Sequence, residues 1–252
     1  MFTQTDLRGI DVSIRRFETI GYPAGVVMLV AGRLFEAGLI ARLGGVLVAS
    51  SVLGVSIVLS RRLYEARVPQ TPMLRRYAIV AAAFALWAVW ALPTWALDPL
   101  AAASLYGAAG TVHLLVFGAI GFVVLGTLYH IVPFIVWVHR YSDLLGLTEV
   151  PMIDDLYDDR LAKADLLALS VGTAGLVSAG VGSTPSSVTV ASSALVVLGS
   201  GLFICNMLLT LHRHSPGGVA GVLLGRERVE RLRSAVPRTA ARGTAHDRNT
   251  AE

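Results

Sequence analysis

AAASLYGAAGTVHLLVFGAIGFVVLGTLYHIVPFIVWV, residues 101–138, contains no Asp, Glu, Lys or Arg. A soluble domain, in which about a quarter of the residues are charged, does not sustain such a run. A helix rises 1.5 Å per residue and needs about 20 apolar residues to cross the hydrocarbon core of a bilayer. The run is therefore long enough to cross and too long for one upright helix. Pro133 supplies a break, because its ring removes a backbone donor. The reading predicts a span from about Leu105 to Ile131, a kink, and an amphipathic interfacial piece from Phe134 to Leu145.

Working outward, the same signal recurs. Apolar segments precede the run at about Ile20–Gly38, Leu43–Leu59 and Tyr77–Leu97, and follow it at about Leu166–Val181 and Val188–Leu211. The last two are joined by a short uncharged turn, Gly182-Ser-Thr-Pro-Ser-Ser. The 252 residues are 54% hydrophobic and 15% charged, with a mean hydropathy of +0.65. The charge falls between the apolar segments, as lipid requires. The fold class that follows is all-α, a polytopic transmembrane helix bundle of about six spans. In the first segment Arg33 and Glu36 lie three residues apart and can pair on one helical face. Two readings stand there, a full span or a re-entrant or interfacial helix. Trp87, Trp90 and Trp95 sit in the later half of the third segment, where tryptophans mark the membrane interface. Gly45 with Ala49, Ser50 with Gly54 and Gly118 with Gly121 are small pairs that let helices approach, and Gly107, Gly110 and Gly126 extend the pattern.

Basic residues orient the bundle. Nineteen of the twenty-one Lys and Arg fall in the N-terminal segment, the loops after the second and fourth segments, and the tail; Arg33 and Arg42 are the exceptions. Six spans with both ends in the cytoplasm satisfy the positive-inside rule, and the expected location is the cell (plasma) membrane, multi-pass. The organisation is a cytoplasmic segment 1–19, a bundle 20–214 with an acidic cytoplasmic loop 139–165, and a basic tail 215–252 expected to be largely disordered. The charge of +4 and pI near 9.6 are then properties of membrane loops, and no nucleic-acid partner is expected. Cys205 is the single cysteine, so no internal disulfide or multi-cysteine metal site is available.

Few residues can carry chemistry. His113 is the ionisable residue inside the fourth segment, and a histidine at membrane depth is a functional candidate by default. Neutral imidazole ligates haem iron; it also hydrogen-bonds across to neighbouring helices, and both readings stand. His130 lies seventeen residues later, about 25 Å along a straight helix, too far to share a metal with His113. With Tyr129 and Pro133 it is expected at the cytoplasmic interface, and His139, Arg140 and Tyr141 form an interfacial anchor. His212 and His214 flank Arg213 at the end of the last segment, where helix-end cations suit the dipole. Asp154, Asp155, Asp158 and Asp159 lack the ligand spacing and glycine of a calcium loop, and are read as a solvated acidic turn. Asp165 is placed as a favourable charge at a helix N-terminus. No phosphate loop, nucleophile elbow, HExxH or CxxC motif is present.

Tyr106-Gly-Ala-Ala-Gly-Thr-Val-His113 through Gly118, Gly126 and His130 to Pro133 resembles the tenth helix of haem–copper oxidase subunit I. That helix carries an H-x-H pair, a small-residue apolar run and an aromatic-x-x-Pro ending. The last segment, with Asn206 and a basic end, is similar to the closing helix of the same subunit. Shorter membrane proteins related to subunit I and to NnrS share these features. The resemblance implies that His113 stands where a low-spin haem ligand stands, with Gly110, Phe117 and Gly121 beside a b-type haem. Thr111 replaces the other histidine of the pair, and no histidine precedes His113. The chain is therefore not expected to be a complete oxidase or a stand-alone enzyme. The expectation is a subunit I-like protein in respiratory electron transfer or haem and nitric oxide handling. Its expected partners are the lipid bilayer and either a second copy, as a homodimer, or respiratory-complex subunits. The alternatives are a non-catalytic membrane subunit or assembly factor, and, third, a small transporter.

Overall fold

The computed structural model describes residues 9–182 and 184–215. The basic tail and the first eight residues lie outside the described residues. Among the described residues six α-helices form the bundle: α1 (Gly9–Leu34), α2 (Gly38–Tyr64), α3 (Pro72–Leu97), α4 (Phe122–Tyr141), α5 (Asp159–Val181) and α6 (Ser186–His214). A π-helical segment, Leu114–Gly121, runs directly into α4. No strand occurs among the described residues. Among the described residues five stretches are long and apolar enough to cross a membrane: α2, α3, Leu114–Leu144, α5 and α6. The chain is an all-α, multi-pass membrane protein, and large apolar side chains such as Val27, Leu39, Val190 and Val197 face outward, toward lipid.

α1 stands outside that count because Arg15, Arg16 and Glu18 shorten its apolar stretch. It nevertheless runs the full height of the bundle. At one end Asp11 pairs with Arg61 and Arg62 of α2. At the other Arg33 donates to the Ser104 carbonyl and hydroxyl, at 2.8 and 2.9 Å. Its 26 residues reach about 39 Å. The helix is already formed at Gly9, so it extends ahead of the apolar segment read from residue 20. The reason is Asp11, fully buried, whose charge α2 neutralises.

The α1–α2 hairpin is close-packed through glycine. A Cβ on Gly32 would lie 2.2 Å from the Ala41 backbone nitrogen, and one on Gly44 2.3 Å from that of Leu29. Gly45 receives Trp95 of α3, where a Cβ would meet the tryptophan Cβ at 2.6 Å. Gly118 lies against Ala83, at 3.1 Å, as expected for a packing glycine. Gly121 differs: the one heavy atom within 4 Å of a Cβ built there is the Val116 carbonyl oxygen of its own helix. α2 packs on α3, α3 on α4 and the π-helical segment, and α5 on α6.

The fourth segment departs most from expectation. Regular helix starts at residue 112, not near Leu105. Gly107 and Gly110 take φ of +104° and +79°, which a right-handed helix excludes. The preceding stretch is held as an irregular cap by tryptophan: Trp87 Nε1 donates to the Tyr106 carbonyl at 2.9 Å and Trp95 Nε1 to the Ser104 carbonyl at 2.7 Å. These two tryptophans are therefore buried pegs, while Trp90 is 38% exposed as an interfacial residue would be. The expected break at Pro133 does not occur, and α4 continues through it to Tyr141. Ending the helix there would strand several backbone groups in lipid, against the one hydrogen bond that proline removes.

Candidate functional site

The first turn of α1, the last turn of α6, Arg61, Arg140 and the α4–α5 loop lie at the end that the arginine count assigns to the cytoplasm, the inner end. Two turns in from it the bundle buries a charge network. Arg76 of α3 pairs with Asp165 of α5, and both are fully buried. Arg76 also donates to the carbonyls of Pro72 and Ala162, at 3.0 and 3.1 Å. Its guanidinium lies 4.1 Å over the ring of Tyr129 of α4, a cation–π contact. Tyr129 donates its hydroxyl hydrogen to Asp165 Oδ2 at 2.5 Å. Asn206 of α6 donates to the Tyr129 hydroxyl at 3.0 Å and to the Asp158 carbonyl at 2.9 Å, and accepts from the Asp158 amide at 2.9 Å. Tyr157 and Phe203 wall Tyr129 edge-on, at 5.4 and 5.3 Å between ring centroids.

One cluster thus joins α3, α4, α5 and α6. Sequence reasoning missed it: Tyr129 was expected at the interface and is buried, and Asp165, read as a helix-start charge, is an ion-pair partner. The available signal was weak. Arg76 and Asp165 each border an apolar run on the same predicted side, but sequence spacing does not say that they meet.

His113 is also displaced from expectation. It sits in the first turn of its helix, at the outer end, because the glycine turns delay the helix start. Its half-buried ring stacks on Phe117, with centroids 6.0 Å apart and planes 16° apart. It has no hydrogen bond to another described residue. Gly110, expected beside a cofactor, is tied to α5: a Cβ there would lie 1.9 Å from the Gly180 carbonyl oxygen. No group of three or more His, Cys, Asp or Glu among the described residues is placed to hold a metal ion. Haem iron takes one or two side chains, so this observation does not bear on His113.

The inner-end residues fall as an anchor. His130 is exposed and stacks on Phe134, while Pro133 is buried. His139 Nδ1 lies 2.8 Å from the Ile135 carbonyl. Arg140 donates to the Arg213 carbonyl at 3.0 Å, and the Tyr141 hydroxyl lies 3.0 Å from His214 Nδ1. These contacts tie the ends of α4 and α6.

The acidic turn uses its carboxylates internally. Asp155 accepts from the Met152 amide at 2.9 Å and Asp154 from the Tyr157 hydroxyl at 3.1 Å. Burial, then the Asp154 charge, pushes the Tyr157 phenol up. Asp158 caps α5, accepting from the Leu161 and Arg160 amides at 3.2 and 2.8 Å. Those bonds hold its carboxyl below the usual carboxylate range. A depressed folded pKa contributes stability that is present above the unfolded value and is lost as pH falls through the folded one. Asp158→Asn keeps a good cap and removes that titration. The variant is expected to lose less thermal stability than wild type between pH 5 and pH 3 in mild detergent. Parallel losses would refute this role.

An apolar crevice of about 510 Å³ opens between α3, the π-helical segment and α5. Comparison of the chain with protein-family models, curated proteins and solved structures returned no match. Function must therefore be argued from these features themselves.

Proposed function

We propose that this multi-pass protein is a non-catalytic subunit or assembly factor of a plasma-membrane complex. The use made of buried charge carries the reading. Asp11, Arg62, Arg76 and Asp165 are each ion-paired inside the chain, so they join helices to one another and none of them stands ready as an acid or base. The large outward apolar faces suit lipid and partner helices, and the inner-end arginines suit anionic headgroups or acidic partner loops. Blue-native electrophoresis of gently solubilised membranes tests this. The chain is expected in one larger assembly whose abundance falls when the gene is deleted. A free monomer, with every membrane complex unchanged by deletion, would overturn it.

One observation favours a second reading, a subunit I-like haem protein in electron transfer or haem and nitric oxide handling. The His113 imidazole is half-buried and makes no hydrogen bond among the described residues. Among the described residues no histidine faces His113, so the residues would fit haem b with this one nitrogen and either a second ligand from another chain, such as His113 of a second copy, or a weak ligand or water. Haem would supply one-electron chemistry; His113 would hold it through a ring nitrogen and Phe117 would supply an apolar wall. A pyridine haemochrome assay and a reduced-minus-oxidised spectrum decide between the two. The subunit reading expects no stoichiometric band after haem-replete expression. A stoichiometric band that is lost in His113→Ala would replace it with the haem reading.

A further inference from the structure

Asp11, Asp159 and Asp165 are each ion-paired within the chain. Glu18 of α1, the remaining carboxylate in α1–α6, is not. Its carboxyl lies against Gly54 of α2, where a Cβ would come 2.9 Å from Glu18 Oε1 and 3.7 Å from Cδ. Oε1 is enclosed there and has no hydrogen-bond partner. Ser51, one turn away on α2, lies against Gly21 and does not bond to it. Arg15, one turn nearer the inner end, is exposed and makes no ion pair with Glu18. Glu18 is half-buried, so its other oxygen, Oε2, is open on the surface of the α1–α2 hairpin. The carboxylate can therefore be reached from outside the chain.

Depth makes an unpaired charge costly at this place. Gly54 lies seven residues from Arg61, about 10 Å along α2, inside the apolar run that ends at Leu59. Charged side chains at membrane depth pair with an opposite charge or face a wet cavity, and they mark functional positions. The chain brings Glu18 no such partner, because α1 packs on α2 and on no other helix of the described residues. Tyr22, four residues on and 48% exposed, continues the same side of α1 toward the membrane centre.

We infer that α1 docks a membrane helix of another subunit, and that a Lys or Arg of that helix pairs with Glu18. Charge complementarity sets the kind of partner. A wholly apolar helix would leave the carboxylate unpaired in a still drier setting, and the cationic groups of lipids stay in the headgroup layer. A lysine or arginine on a facing helix reaches this depth and gains the same relief from its own desolvation. The inference rests on the subunit reading and names one contact by which the chain joins its assembly.

Glu18→Gln keeps the shape that packs on Gly54 and removes the charge; Glu18→Asp keeps the charge. Blue-native electrophoresis of gently solubilised membranes is expected to show wild type and Glu18→Asp in the larger assembly. The share of Glu18→Gln in it is expected to fall about tenfold or more, as for loss of one partner of a desolvated charge pair. The unfolding midpoint of the purified chain is expected to be the same for Glu18→Gln and wild type, because no contact inside the chain uses the charge. An assembly that survives Glu18→Gln would overturn the docking site and leave the subunit reading standing, with Glu18 carried as the neutral acid. Equal loss in Glu18→Asp and Glu18→Gln would show that shape is read and not charge, and a lowered midpoint in Glu18→Gln would reveal an internal partner; each overturns the pairing. No assembly in wild type would overturn the subunit reading itself, and this site with it.

Discussion

Asp165→Ala is expected to destabilise the bundle by about 3–5 kcal/mol, because it leaves the Arg76 guanidinium buried without its counter-charge. Arg76 is fully enclosed and its remaining acceptors are two backbone carbonyls. Tyr129 loses its acceptor in the same step, and Asn206 loses the order of its partner. The damage should therefore spread across α3, α4, α5 and α6. The unfolding midpoint followed by circular dichroism in mild detergent reads it. The paired replacement Arg76→Met with Asp165→Leu removes both charges and keeps apolar volume, and it is expected to recover most of the loss. An Asp165→Ala variant within about 1 kcal/mol of wild type would show that the pair does not hold the helices.

Gly44→Leu is expected to be of similar severity, for a steric reason. The Cβ alone would sit 2.3 Å from the Leu29 nitrogen and 2.8 Å from the Gly25 carbonyl oxygen. Both are backbone atoms that no rotamer change can move, so α1 must separate from α2. Overpacking in a well-packed core costs about 1–3 kcal/mol even where side chains can yield, and here the loss should exceed that range. Separation would also draw Asp11 away from Arg61 and Arg62. Gly201→Ala is the control. A Cβ there meets nothing within 4 Å, and the better helix former should leave stability unchanged or raise it by up to about 1 kcal/mol. Equal midpoints for Gly44→Leu and wild type would sink the close-packed hairpin.

Some of this architecture was legible in the residues. A run of 38 uncharged positions has one physical environment, and the other apolar segments repeat its message. α2, α3, α5 and α6 appear where the apolar segments put them, longer at the ends because helices continue into the headgroup layer and carry their capping residues with them. Asp158, in a turn expected to lead into a helix, is the cap of α5. The fourth segment was harder to place. Hydropathy registers Leu105 and Tyr106 as apolar and is blind to the left-handed glycines that keep them out of the helix. That one error moved His113 from mid-membrane to the outer end.

The sequence by itself determined the solvent and the all-α bundle, because both follow from summed local transfer energies along the chain. The tertiary structure alone decided that Arg76 meets Asp165 and Tyr129, that Gly32 and Gly44 are contact points, and that an apolar crevice opens between α3, the π-helical segment and α5. Those facts depend on which faces of which helices meet. Helices in lipid are sorted by close packing and a few polar contacts, not by a hydrophobic gradient that leaves a periodic mark in the sequence.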